Sequence, residues 1–294
     1  MEARSSVRAW ILAGRPRTLF ASVSPVVVGA ALALQGGEFR LLPALAALVV
    51  AVAIQIGTNF ANDLGDYRRG ADTVERVGPT RVTSAGLLSP RQVAAGMWVA
   101  FGFAAAAGLY LVSVGGWPVL VAGIASIAAG IAYTAGPLPL GYYGLGDLAV
   151  FIFFGLVGTL GTYYVQTLRI TPLAVASAVP VGALITAILV VNNLRDADTD
   201  RAAGKRTLAV LMGRRGARIE YLVLVVVAYA APVVLLLFFG QRAWILLPFL
   251  TLPLGLRLVQ AVFTTLGPSL NRTLAGTSQL AFLYSVAFAA GLLL

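Results

Sequence analysis

The sequence predicts an all-α polytopic membrane protein, and three observations carry that prediction. The 294-residue chain is 59% hydrophobic and only 11% charged, far too apolar for a soluble domain of this length. Its apolar residues fall into runs of about 20, enough to cross ~30 Å of hydrocarbon as a helix. Its basic residues gather in every second gap between those runs, as membrane topology distributes them.

Nine segments qualify as spans, and together they make one domain over residues 1–294. The first, 17–35, is interrupted by Ser22, Ser24 and Pro25. The second, 41–62, is apolar until it ends in Asn59-Phe-Ala-Asn62. Segments 92–113 and 117–135 are rich in Gly and Ala, small residues that let helices approach closely in lipid. Segment 147–168 opens on Asp147 behind Gly146, where the carboxylate suits a helix N-terminus and a catalytic role equally. Segment 172–194 ends in Asn192-Asn193, and 218–239, 243–265 and 272–294 complete the set, with Arg257 inside the eighth. If every span crosses, seventeen basic residues lie on one side and Arg40, Arg169 and Arg242 on the other. The positive-inside rule then puts the N-terminus and two polar loops, 63–91 and 195–217, in the cytoplasm and Leu294 outside. Met1 to Trp10 carries no signal-peptide core, so the chain is expected to insert through its own spans into the cytoplasmic membrane. The net charge of +10 follows from this topology rather than from nucleic-acid binding.

The chain has no Cys and no His. That excludes thiolate or imidazole metal sites, disulfides, thiol nucleophiles and histidine bases. Any metal must be held by oxygen. Two clusters offer it: Asn59-Phe-Ala-Asn-Asp-Leu-Gly-Asp-Tyr-Arg-Arg-Gly-Ala-Asp72, and Asn192-Asn-Leu-Arg-Asp-Ala-Asp-Thr-Asp-Arg-Ala-Ala-Gly-Lys205. With Glu75 they hold seven of the eleven acidic residues. Carboxylates this close repel by about 4 kcal/mol per pair at ~4 Å and an effective dielectric near 20. A cation is expected between them, and all-oxygen ligands favour a hard divalent ion such as Mg²⁺.

Spacing sharpens this reading. Asn192, Asp196 and Asp200 recur every four residues and line one face if the helix runs past the bilayer edge. Asn62 and Asp66 share that spacing, with Asp63 three before Asp66, and Gly65 and Gly70 allow the chain to loop back toward Asp72. Arg68, Arg69, Arg76 and Arg81 flank the first cluster, Lys205 and Arg206 the second. Arg grips phosphate bidentately and Lys acts as a point charge. The ligand this layout fits has an anionic diphosphate head and a long apolar tail. A single cytoplasmic Asp among arginines reads as a solvated charge or a helix cap, but two clusters with matched Asn-x-x-x-Asp spacing do not. Arg214, Arg215 and Arg218 read as topology determinants and lipid-headgroup contacts. Gly141-Tyr-Tyr-Gly-Leu-Gly146 lacks the strand–turn–helix context of a nucleotide loop.

With these residues in view, the chain resembles the UbiA superfamily of intramembrane prenyltransferases, nine-helix proteins with Mg²⁺-dependent Asp motifs. Asn192-x-x-x-Asp196-x-x-x-Asp200 follows the family pattern directly. The first cluster departs from it, because the position in step is Gly70 and Asp72 comes two residues late. That register resembles the menaquinone branch, as do Gly78-Pro79, Tyr133-Thr-Ala-Gly-Pro137, Gly144-Leu-Gly-Asp147, Gly161-Thr-Tyr-Tyr-Val-Gln166 and Gly204-Lys-Arg-Thr-Leu208. The resemblance implies decarboxylative transfer of a polyprenyl group from polyprenyl diphosphate to 1,4-dihydroxy-2-naphthoate, giving demethylmenaquinone. It implies Asp66, Asp196 and Lys205 as catalytic, and Asp63, Asp66, Asp72, Asp196 and Asp200 as metal ligands. Asn62, Arg76, Arg81, Asn192 and Lys205 would hold diphosphate. Polar candidates for the acceptor pocket are Asn59, Tyr133, Tyr143 and Tyr163. The alternatives are another aromatic acceptor, 4-hydroxybenzoate or homogentisate, and a cation-coupled transporter. A transporter would place its carboxylates near the midplane on broken helices, and here only Arg257 is charged well inside a span.

Overall fold

A computed structural model describes residues 2–70, 78, 81–137 and 139–294, without the side chains of 2–6 and 17. Ten helices follow one another among the described residues. They are α1 (Glu2–Gly14), α2 (Leu19–Gln35), α3 (Leu41–Arg68), α4 (Pro90–Gly115) and α5 (Trp117–Ala132). After them come α6 (Gly146–Thr167), α7 (Pro172–Ala202), α8 (Leu208–Phe238), α9 (Ala243–Thr264) and α10 (Leu270–Leu293).

Apolar composition decides which helix lies inside. Helix α7 is hydrophobic all round until its last turns, the pattern of a helix with no solvent face. It is the most enclosed of the spans, with 78% of its apolar window buried, and it packs on α2, α6, α8 and α10. Around it lies the larger core cluster, with Leu184, Tyr221, Tyr284 and Phe288 fully buried. The tyrosine hydroxyls there find partners on neighbouring helices, as lipid-embedded polar groups must. Tyr221 pairs with Thr277 Oγ1 at 3.0 Å, and the Tyr284 hydroxyl donates to the Ala228 carbonyl at 2.6 Å. A second cluster joins α1, α3 and α4 through Phe60, Val93 and Phe101, with Trp10 edge-on to Phe60 at 5.7 Å. Outward, Phe103, Leu109, Trp117 and Leu250 are exposed, a surface suited to lipid and not to water.

Helix α6 meets α7 at a point where two backbones touch. A Cβ on Gly155 would stand 2.4 Å from Gly182 Cα, so position 155 needs glycine. The same stretch of α6, Phe151–Val157, is wound as a π-helix.

The expected count of nine spans is not met by length. Seven helices among the described residues are long and apolar enough to cross a membrane, and eight if α1 and α2, bent by 56°, form one span. Helix α5 has 16 residues. It stops at Ala132 because Thr134 turns out of the helix, donating its hydroxyl to the Ala61 carbonyl and to Asn62 Oδ1, both at 3.2 Å. Helices nevertheless occupy all nine segments that the sequence marked.

The polar loops are also shorter than expected. Helix α3 runs on to Arg68 and α7 to Ala202, so both acidic clusters are largely helical. The second loop shrinks to 203–207, closed by Thr207, whose side chain caps α8 by accepting from Val210 N.

The Gly155–Gly182 contact yields a test. Gly155→Val should lower folding stability in detergent by about 1–3 kcal/mol through overpacking, read as a lower thermal midpoint. Gly123→Ala, on a glycine with nothing within 4 Å, should leave the midpoint unlowered.

Candidate active site

The C-terminal ends of α3 and α7 meet at one end of the bundle and enclose a polar cavity of about 210 Å³. Helical periodicity chooses its wall. On α3, residues 55, 58, 59, 62 and 66 line it, and on α7, residues 185, 188, 189, 192, 196 and 200. Each set follows steps of three and four along one helix face.

Asp66 is the centre. It is 1% exposed and its carboxylate is gripped from three directions. Arg81 Nη2 donates to Oδ2 at 2.6 Å, and the Tyr142 hydroxyl and Lys205 Nζ donate to Oδ1 at 2.9 and 3.0 Å. Lys205 Nζ also lies 3.7 Å from Asp200 Oδ1, so one ammonium bridges the two acidic clusters. It stands where their mutual repulsion demands a cation. Lys205 Nζ and Arg69 further sit 4.8 and 5.1 Å from the centroid of the Tyr142 ring, within cation–π range.

Asp196 is held differently. Arg195, 5% exposed, donates to both its oxygens at 2.8 and 2.6 Å, to Asn192 Oδ1 at 2.9 Å, and to Asn271 Oδ1 of α10 at 2.9 Å. One guanidinium thus sets the orientation of two lining residues. Asp198, between the matched positions, faces outward and pairs with Arg214.

The lining carboxylates Asp66, Asp196 and Asp200 are balanced by the lining cations Arg15, Arg81 and Lys205. With Asp196 already paired by Arg195, the described lining residues leave one positive charge in surplus, less than a diphosphate brings. Among the described residues no three acidic side chains form a metal cage on their own. The donor set still fits Mg²⁺, which takes one or two protein carboxylates and completes its shell with water and phosphate oxygens. Asp66 and Asp200, which already share the Lys205 ammonium, could hold it, with Asn62, Asn192 and Asp196 beside them.

A second, apolar groove of about 560 Å³ adjoins this cavity. Thr58, Tyr133, Val150 and Phe154 line both. From that junction the groove runs between α3, α4, α5 and α6 toward Leu111, Pro118 and Ile170 at the opposite end of the bundle.

Comparisons with known proteins identify the family and the fold. Residues 22–286 match the UbiA prenyltransferase family. The chain belongs to the UbiA family. It is 42% identical over 253 residues to the 1,4-dihydroxy-2-naphthoate octaprenyltransferase of Mycobacterium tuberculosis, covering 86% of this chain and 85% of that one. Its fold is similar to that of a UbiA homologue from Aeropyrum pernix, with a TM-score of 0.70 at 17% identity over 93% of this chain and 96% of the other. A UbiA homologue from Archaeoglobus fulgidus bound to GPP and Mg²⁺ gives 0.67 at 15% identity over 97% and 99%.

Within this UbiA frame, most of the residues expected at the site come together. Asn59, Asn62, Asp66, Arg81, Tyr133, Asn192, Asp196, Asp200 and Lys205 all line the cavity. Asp72 and Arg76 lie outside the described residues. Three expectations are corrected. Asp63, expected to hold metal, is buried away from the cavity and accepts from the backbone N–H groups of Val82 and Thr83, each at 3.1 Å. It pins the returning loop that delivers Arg81. Tyr143 is half exposed and outside the lining, because the turn Leu140–Tyr142 directs its neighbour Tyr142 inward instead. Tyr163 is packed in the main apolar core.

Tyr142, Arg195 and Arg15 were not singled out from the sequence. Tyr142 lies in Gly141–Gly146, whose glycines signal only a nucleotide loop without its strand–turn–helix context. Arg195 reads from the sequence as one more basic residue of the cytoplasmic count.

The Asp63 assignment can be checked. Asp63→Ala strips partners from two backbone N–H groups and should cost about 2 kcal/mol or more, seen as a lower thermal midpoint. Asp66→Asn, by contrast, should change ligand binding as well as stability, because Asp66 faces the cavity.

Proposed function

We propose that this chain transfers a polyprenyl group from polyprenyl diphosphate to 1,4-dihydroxy-2-naphthoate with loss of CO₂. The observation that carries the reading is the junction of a charged polar cavity with a long apolar groove. An amphiphile with an anionic head and an isoprenoid tail fits that pair, and few other ligands do. The identity of the acceptor follows the activity named for the curated relatives.

The diphosphate would lie between the ends of α3 and α7, against Lys205, Arg81, Asn62 and Asn192. A divalent cation, held by Asp66 and Asp200 with Asp196 near, would neutralise charge on the departing diphosphate. Lys205 and Arg81, preset by Asp66, supply donors aimed at the same developing charge without reorganisation. Tyr142 keeps Lys205 oriented through its ring and Asp66 through its hydroxyl. The tail would run into the groove past Val150 and Phe154, leaving the allylic carbon near the junction. There the allylic C–O bond breaks, and the ring carbon bearing the carboxylate forms the new C–C bond. The bond to the carboxylate then breaks as CO₂ leaves, its electron pair restoring the aromatic ring. The quinol formed needs only two-electron oxidation, by air or another enzyme, to give demethylmenaquinone.

The setting follows the same logic. The excess of Arg and Lys at the site end of the bundle supports the reading that this end faces the cytoplasm. A water-soluble naphthoate and the diphosphate head would both enter there.

The experiment is prenyl transfer by detergent-purified protein, with 1,4-dihydroxy-2-naphthoate or 4-hydroxybenzoate as acceptor, with and without EDTA. Product and CO₂ from the naphthoate alone, abolished by EDTA and restored by Mg²⁺, is the expected result. Product from the benzoate alone would keep the fold and site but replace the acceptor. Asp66→Ala and Asp196→Ala should each lower kcat by about 100-fold or more, the scale of losing an electrostatic stabiliser, with membrane insertion unchanged. Full activity in both would remove these carboxylates from the chemistry.

A further inference from the structure

One turn before Asn59 on α3, Gln55 forms part of the cavity wall and is 7% exposed. Its amide orientation is fixed by a chain of hydrogen bonds that begins at the backbone. The carbonyls of Gly14 and Arg15, at the bend between α1 and α2, can only accept. Thr18 Oγ1 therefore gives its proton to the Arg15 carbonyl at 2.9 Å. Asn59 Nδ2 donates to the Gly14 carbonyl at 3.0 Å and to Thr18 Oγ1 at 3.1 Å. This turns Asn59 Oδ1 toward Gln55, where it accepts from Nε2 at 3.3 Å, and the same Nε2 donates to Thr18 Oγ1 at 3.2 Å. Flipping the Gln55 amide would set acceptor against acceptor, so the network permits one orientation. Gln55 Oε1 is the atom left over, and it has no hydrogen-bond partner among the described residues.

A buried carbonyl oxygen without a donor is costly. Here it sits on a wall that a ligand must meet. Along α3, Gln55 lies about 10 Å from Asn62 on the same face, deeper in the bundle than the diphosphate contacts. Thr58, at the junction with the apolar groove, falls within the same turn. A group that satisfies Oε1 must be a donor. A carboxylate would be repelled, and a hydrocarbon would leave the oxygen stranded.

We propose that Gln55 Oε1 accepts a hydrogen bond from the 4-hydroxyl of the 1,4-dihydroxy-2-naphthoate acceptor, and so selects for that hydroxyl. The inference rests on the acceptor reading given above. The 1-hydroxyl flanks the carboxylate and closes an internal hydrogen bond to it, so its proton is engaged. The 4-hydroxyl has no such neighbour, and its proton is free for the protein. Gln55 is thus a binding and specificity residue, acting on which acceptor is held and how its ring lies.

The test compares kcat/KM for 1,4-dihydroxy-2-naphthoate and for 1-hydroxy-2-naphthoate, which lacks only the 4-hydroxyl, at saturating polyprenyl diphosphate. Wild-type protein should prefer the dihydroxy acceptor by about 10- to 100-fold, the factor for one buried hydrogen bond. Gln55→Met, similar in shape but without the acceptor, should erase most of that preference. KM for the polyprenyl diphosphate should be unchanged in Gln55→Met. A Gln55→Met protein that keeps the wild-type preference overturns the proposal, and so does one that loses both acceptors in equal proportion. Should that variant fail to fold, wild-type protein still decides. If 1-hydroxy-2-naphthoate competes with an inhibition constant equal to the KM of the dihydroxy acceptor, the 4-hydroxyl contributes nothing and the proposal fails. No product from 1,4-dihydroxy-2-naphthoate in the wild type would instead overturn the acceptor reading, a result distinct from either Gln55 outcome.

Discussion

Burying the Asp66 carboxylate at the mouth of an apolar bundle is the constraint around which the site is arranged. An unpaired carboxylate there is untenable, because removing one partner of a buried ion pair costs about 3–5 kcal/mol. Asp66 therefore draws in Arg81 from the loop before α4, Tyr142 from the turn before α6 and Lys205 from the loop between α7 and α8. Three separate pieces of chain are brought to one carboxylate. The same pairing sets Lys205 and Arg81 facing the cavity, where an anionic ligand would meet them. Stability and ligand recognition thus share one set of contacts.

Supporting residues sit just behind the lining. Asp63 holds the loop that carries Arg81, and Arg195 orients Asp196 and Asn192 while reaching across to α10. Neither Asp63 nor Arg195 lines the cavity. Around them the bundle follows lipid rules. Hydrophobicity does not distinguish helix neighbours from lipid, so close backbone contact and interhelical hydrogen bonds set the packing. The Gly155–Gly182 contact and the tyrosine hydroxyls of α8 and α10 are instances of each.

Much of this was legible in the sequence, and the reasons differ by residue. Asn62, Asp66, Asn192, Asp196 and Asp200 were readable because helical spacing is local: four residues apart on a helix means one face, wherever the helix goes. Nine of the ten helices followed from hydropathy alone, α1 being the exception. Their ends did not. Helix α5 stops short because Thr134 bonds to α3, and α3 outruns its apolar stretch because its polar last turns find partners. Tyr142 could not be told from Tyr143, since one step in a tight turn reverses which side chain points inward. Asp63 and Asp66 look alike in sequence, yet three residues on a helix separate a face that meets a loop from one that meets the cavity.

What the sequence determined by itself was the membrane class, the all-oxygen chemistry forced by the absence of Cys and His, and the carboxylate faces of α3 and α7. Composition and periodicity are properties of the chain and need no partner. Only the tertiary structure decided which groups satisfy which. That Lys205 bridges the two clusters, that Arg195 reaches Asn271, and that the bend at Gly14 and Arg15 leaves Gln55 Oε1 without a donor among the described residues all depend on contacts between residues far apart in the chain. Such pairings answer to burial and geometry, which spacing along one helix does not encode.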